Sequence, residues 1–216
     1  MKTPKFLPRF LTFLAAFAFW MACPTPAASQ GPTFTAYSGY RLGGSLGTRD
    51  GDLKLDSAPF FGGQLDFRVR SDATAAIMVD YQPTFLRLKR FGEPTEALFD
   101  LNVWYFQAGG TVEVLGGDGP VPFALGSLGM SWFDPTGSPQ NNGSEYGLSG
   151  IFGGGVKVPF PSQSMALRLQ ARILLNSVYG GSSLWCGTGS GCYIGTGGYL
   201  GPVQFDFGGG LTFGGR

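Results

Sequence analysis

Few side chains in this sequence could carry chemistry, and one type is missing altogether: none of the 216 residues is a histidine. Without imidazole, neither a Ser-His-Asp nor a Cys-His nucleophilic set can be assembled, and histidine-containing metal sites are excluded as well. Cys186 and Cys192 stand in WCGTGSGCY. With no second ligand pair elsewhere, they read as a local disulfide of an exported chain rather than half of a metal site. Such a small ring would rigidify a loop tip more than it stabilises a core. Asp50 and Asp52 could hold Ca²⁺, but a solvated polar loop is the plainer reading. Asn142-Gly143-Ser144 matches a glycosylation pattern and is read as coincidence. The glycine triplets at 153–155 and 208–210 open no helix, so they match no nucleotide fingerprint and instead allow close packing and curvature in a sheet. No cofactor, metal site or enzymatic activity is expected. What remains is a set of charges balanced in sign: Arg68, Arg70, Arg168 and Arg172 against Asp66, Asp80, Asp100 and Asp206.

The elements that must position those charges are strands. In ALRLQARILL (166–175), a strand puts Leu167, Leu169, Ala171, Ile173 and Leu175 on one face and Ala166, Arg168, Gln170 and Arg172 on the other. The same period of two recurs after residue 30, broken by Gly, Pro, Asp, Asn and Ser clusters. It predicts strands near 33–43, 60–70, 73–84, 98–114, 120–133, 146–158, 165–177 and 199–213. Leu65, Phe67 and Val69 oppose Gln64, Asp66, Arg68 and Arg70; Val203, Phe205, Phe207, Leu211 and Phe213 oppose Gln204, Asp206 and Thr212. In the fourth segment Phe99, Leu101 and Val103 set one parity and Val112 and Val114 the other, which predicts a bulge near residues 105–107.

The first 29 residues read as a cleavable signal peptide. A basic start with Lys2, Lys5 and Arg9 leads into an apolar run over 10–22 and a small-residue exit at Ala27-Ala28-Ser29. That run is shorter than the ~20 residues of a spanning helix. Cleavage before Gln30 is expected, with cleavage after Ala27 as the alternative; a lipid anchor at Cys23 is disfavoured by the poor motif before it. Removing the three leader cations turns a net charge of +1 into −2, so no nucleic-acid partner is expected. Residues 30–216 form one β domain in which only Lys54, Lys89 and Lys157 are lysines, too few for the outside of a water-soluble sheet.

The connections alternate. Those at 71–72, 116–119 and 159–164 are short, while 44–59, 85–97, 134–145 and 178–198 are long and polar or glycine-rich. All the long loops therefore leave one end of an up-and-down array, the layout of bacterial outer-membrane barrels. Phe60, Phe61, Tyr81, Phe99, Trp132, Phe133, Tyr146 and Tyr199 gather near that end, where an interfacial girdle would sit. With the leader, the eight segments, glycine pairs such as Gly109-Gly110 and a final strand ending in Phe213, the chain resembles the OmpA-like outer-membrane β-barrel domain family. The resemblance covers about residues 31–213. It implies an eight-stranded antiparallel up-and-down transmembrane β-barrel, with Phe213 as the terminal signal read by the barrel-assembly machinery. Gly214-Gly215-Arg216 depart from the family's usual ending, and no peptidoglycan-binding domain follows. Outer-membrane deacylases, palmitoyltransferases and omptins use histidine, so this sequence gives them no support.

A soluble lipocalin-type barrel would show the same alternation with its faces exchanged. The scarcity of lysine, the arginine-rich polar face and the strand length favour lipid outside and charges inside. Eight strands leave an interior that side chains fill, so Asp66, Arg68, Asp80, Asp100, Arg168, Arg172 and Asp206 are expected to form a paired lumenal network; a gated ion path is the alternative. The expectation is a monomeric barrel of the bacterial outer membrane, structural or surface-interacting, with an unknown ligand for its long loops. A narrow transport barrel and a soluble binding barrel are the competing readings.

Overall fold

The structure, a computed structural model, describes residues 31–48, 51–89, 94–114, 119–136, 144–161, 164–178, 199–200 and 202–214. The expected signal peptide, Asp50, Cys186 and Cys192 lie outside these residues. In chain order the strands are β1 (Thr33–Leu42), β2 (Ser45–Thr48), β3 (Gly51–Leu55), β4 (Ala58–Arg68), β5 (Ala73–Lys89), β6 (Glu96–Glu113), β7 (Val121–Thr136), β8 (Glu145–Pro159), β9 (Met165–Val178), β10 (Tyr199–Leu200) and β11 (Gln204–Phe213). Every pairing is antiparallel. Eight of the strands form the wall: β1, β4, β5, β6, β7, β8, β9 and β11, each bonded to the next. β1 and β11 close it, Phe34 lying opposite Phe213 and Leu42 opposite Phe205.

The register can be followed around the wall. Arg68 faces Thr74, then Thr111, Leu125, Gly153, Arg172, Asp206, Arg41 and finally Ala58. The walk returns to β4 ten residues from its start, so the ladders wind upward and the strands must tilt, by roughly 35–45° in barrels of this kind. Local sequence sets which side chains line the inside. In β5 the even positions Ala76, Met78, Asp80, Gln82, Thr84, Leu86 and Leu88 are buried while Ile77 and Phe85 are exposed.

Three expectations need correction. First, β6 runs without a bulge at 105–107: its pairing with β7 is continuous from Asp100 to Glu113, and the register shift lies instead opposite Leu86/Arg87. Leu101, Val103 and Tyr105 point inward with Glu113, and Val112 and Val114 point outward. The parity looked inconsistent because the inner wall itself changes from polar to apolar towards the long-loop end. Second, β5 extends to Lys89, since β3 pairs with its upper part, Leu53 opposite Leu88 and Leu55 opposite Leu86. Part of the long first connection is therefore a hairpin, β2 against β3. Third, the last segment is split into β10 and β11.

Above the middle of the barrel the interior is apolar. Leu53, Leu55, Leu86, Leu88, Leu101, Val103, Tyr105, Phe133, Ile151 and Leu174 make up the upper part of one buried cluster, which continues through Phe123 and Leu125 towards the short-turn end, with Leu98 and Phe99 packed against it. Phe60 and Phe133, expected in the outer girdle, are inside, because β4 turns its even residues and β7 its odd residues to the lumen.

Candidate functional site: the lumenal charge network

Beneath the apolar cluster, four buried charges meet. Arg41 Nη2 lies 2.9 Å from both Asp80 Oδ2 and Asp206 Oδ2, and Arg172 Nη2 lies 2.8 and 2.9 Å from the same two oxygens. Arg41 Nε and Arg172 Nε also donate to Asp206, at 3.1 and 2.9 Å. Two cations thus alternate with two anions in a neutral square. The register makes this possible: Arg172, Asp206 and Arg41 are directly opposed on β9, β11 and β1. Burying charge costs several kcal/mol per ion unless partners replace water, and here each carboxylate is held by both guanidiniums. Tyr37 donates to Asp80 Oδ1 at 2.5 Å, and Arg41 Nη1 donates to Gln82 Oε1 at 3.3 Å. The ring faces complete the packing: Arg41 lies 4.7 Å from the Phe60 ring and 4.8 Å from Tyr105, while Arg172 lies 5.0 Å from Phe60 and 5.1 Å from Tyr37. A chain of bonds continues towards the long-loop end. Gln204 Nε2 donates to Gln82 Oε1, Tyr105 to Gln204 Oε1, and Asn176 to Tyr105 and to the Pro202 carbonyl.

A second polar group occupies the short-turn end. Gln64 and Thr74 donate to Asp66 Oδ1 at 2.6 and 3.3 Å. Arg168 Nη1 is 3.9 Å from Asp66 Oδ2, its Nε donates to Gln170 Oε1 at 2.9 Å, and its guanidinium lies 4.2 Å from the Phe123 ring. Lys157 pairs with Glu113, and Arg68 approaches the same carboxylate at 3.9 Å.

The structure therefore brings Asp80, Arg172 and Asp206 into one group and Asp66 and Arg168 into another. Arg68 lies at the rim, exposed, bonded to the Ser71 carbonyl. Asp100 is not in the lumen: it sits on the outward parity of β6, exposed near the long-loop end, where a charge can meet water. Arg41, Tyr37, Tyr105 and Glu113 are absent from the sequence expectations. Arg41 could have been found, since it shares parity with Thr33 and Thr35 and is flanked by the outward Tyr40 and Leu42. Phe213, the expected assembly signal, points outward from the end of β11, 39% exposed. Asp52 is exposed on β3. Among the described residues no three His, Cys, Asp or Glu side chains group to hold a metal ion.

The contents of the two faces decide the solvent. Outside, Phe34, Phe61, Leu65, Phe67, Ile77, Val112, Leu128, Phe152, Leu169, Phe205 and Phe207 are all exposed; inside, Thr35, Arg41, Gln64, Asp66, Asp80, Gln82, Gln107, Arg168, Gln170, Arg172, Gln204 and Asp206 are buried. Water cannot be the partner of so continuous an apolar wall. This is a transmembrane barrel. Its closed ladder meets the requirement that backbone groups in hydrocarbon be paired internally. Outward-facing Phe61, Tyr81, Trp104, Trp132 and Tyr146 lie on successive register partners from β4 to β8, with Tyr81 and Trp104 ring centroids 4.6 Å apart and Trp132 and Tyr146 stacked at 6.0 Å.

No protein-family model and no curated protein sequence matches the chain. Among solved structures, it is similar to the outer membrane protein OprG of Pseudomonas aeruginosa, at 13% identity and a TM-score of 0.48, over 86% of this chain and 97% of that one. It is likewise similar to Neisserial surface protein A, at 15% identity and 0.45, over 86% and 99%. The N-terminal β-barrel domain of OprF from P. aeruginosa is similar at 14% and 0.42, over 85% and 98%.

Proposed function

We propose that this transmembrane barrel is a non-enzymatic, monomeric protein of the bacterial outer membrane, exported by a cleaved leader and inserted through recognition of the Phe213 end of its last strand. Its wall is in contact with lipid, its lumen is plugged, and its long connections, among them 44–59 and 178–198, present a surface to an unknown partner outside the cell. The observation that carries this reading is the neutral square of Arg41, Asp80, Arg172 and Asp206 beneath the apolar cluster. Charges that satisfy one another, and leucines that fill the mouth above them, support a lumen used for rigidity rather than passage. An eight-stranded wall is just wide enough for its own side chains, whereas barrels of sixteen or more strands leave an aqueous channel.

Planar-bilayer recording of the refolded protein tests the reading. It should show no large, long-lived conductance steps. Large steps that persist in Arg168 and Arg172 variants would put the transport reading in its place.

A further inference from the structure

We infer that the short-turn half of the lumen holds a small monovalent anion, of the halide class, between Arg168 and Gln170. Both side chains are buried, Arg168 at 1% and Gln170 at 6% exposure, yet Arg168 Nη2 and Gln170 Nε2 each lack a hydrogen-bond partner. The two donors belong to groups already joined, since Arg168 Nε donates to Gln170 Oε1 at 2.9 Å. A buried donor without an acceptor loses the full cost of its desolvation, and a charged donor loses most.

The local charge points the same way. The charges at this end are the cations Lys157 and Arg168, with Arg68 at the exposed rim, and the carboxylates Asp66 and Glu113. One positive charge is left over, whereas the square above is neutral. Glu113 is taken by Lys157, with Arg68 beside it. Asp66 is already held by Gln64 and Thr74 and stands 3.9 Å from Arg168 Nη1, beyond hydrogen-bond reach. Lys157 and Arg168 are moreover direct cross-strand partners on β8 and β9. Like charges so placed repel, and an anion on the free edge of Arg168 offsets both the repulsion and the surplus. Phe123 covers the guanidinium face at 4.2 Å, which leaves the edge of the guanidinium for the ion. Thr111 Oγ1 and Gln64 Oε1 are also buried and unpartnered at the short-turn end.

The test uses the full refolded protein with bromide as the probe. Crystals grown in sodium bromide should give an anomalous peak within contact of Arg168 Nη2 and Gln170 Nε2. The temperature at which the folded band is lost on unboiled gels should rise with sodium bromide or chloride more than with sodium gluconate at equal ionic strength. Gln170→Leu, which removes a donor but no charge, should abolish most of that halide-specific rise. If Arg168→Gln folds, it should abolish the peak. Water rather than bromide at the site, or a halide-specific rise unchanged in Gln170→Leu, would overturn the inference.

Discussion

At the scale of single residues, the central square has no redundancy. Asp206 accepts from both guanidiniums, so Asp206→Ala leaves two buried cations with one carboxylate. The loss should be about 3–5 kcal/mol, the range for breaking a buried pair, measured by reversible urea unfolding from liposomes. Replacing Arg41 and Asp206 together by apolar residues should cost less than the two single losses added, because they share contacts. Gly62 belongs to the same site from the wall side. A Cβ there would lie 2.4 Å from Asp80 Oδ1 and from the Tyr37 ring. Gly62→Ala should therefore cost about 1–3 kcal/mol as overpacking, in the same unfolding assay, while Gly63→Ala, with no atom nearer than 3.5 Å, should be close to neutral. These residues were only partly legible. Asp80, Arg172 and Asp206 follow from parity in cleanly alternating strands. Arg41 sits alone in YRLGG, and Tyr37 carries no charge to draw the eye.

At the scale of strands, the two faces of β9 give the sharpest expectation. Leu169 is half exposed on the outer wall. Leu169→Arg should cost roughly 2–4 kcal/mol near the bilayer midplane, whereas an exposed position on a water-soluble barrel would tolerate it within about 0.5 kcal/mol. Unfolding from liposomes separates the two. The upper part of β5 makes another. Leu86 is fully buried between β3 and the apolar cluster, so Leu86→Ala should cost about 2–5 kcal/mol. Backbone amides of residues 52–55 should be slow in hydrogen exchange, since they pair with 86–89; rapid exchange there would remove β3 from the structure. Strands β9 and β11, and the lower half of β4, could be read directly, because polar residues line the lumen there. β6 could not. Leu101, Val103 and Tyr105 are lumenal yet apolar, and a pattern rule that equates apolar with lipid assigns them outward. Asp100 misled for the converse reason: a charge at the upper end of a strand can face outward into water.

At the scale of the molecule, closure is what distinguishes a barrel from a curled sheet. Thr35 and Thr212 face one another across the seam between first and last strands, their hydroxyls 2.9 Å apart. Thr35→Cys with Thr212→Cys should form a disulfide on mild oxidation, since directly opposed strand residues lie within disulfide reach. The cross-linked protein should run differently from the reduced form on a boiled gel. No cross-link in folded protein would mean an open seam. The number of wall strands could be read from the spacing of turns, but not the angle at which they wind, which depends on pairings distant in sequence.

That winding restricts how such a chain can change. A tour of the wall comes back ten places along the strand where it began, and ten is even. It has to be. Neighbouring positions on a strand look to opposite sides, so an odd offset would bring a lipid-facing position home as a lumenal one, and the barrel would become a Möbius strip with a single surface. Loss or gain of one residue inside any wall strand is therefore never a local event. It must be absorbed by a bulge, matched by a second change elsewhere on the circuit, or confined to the loops.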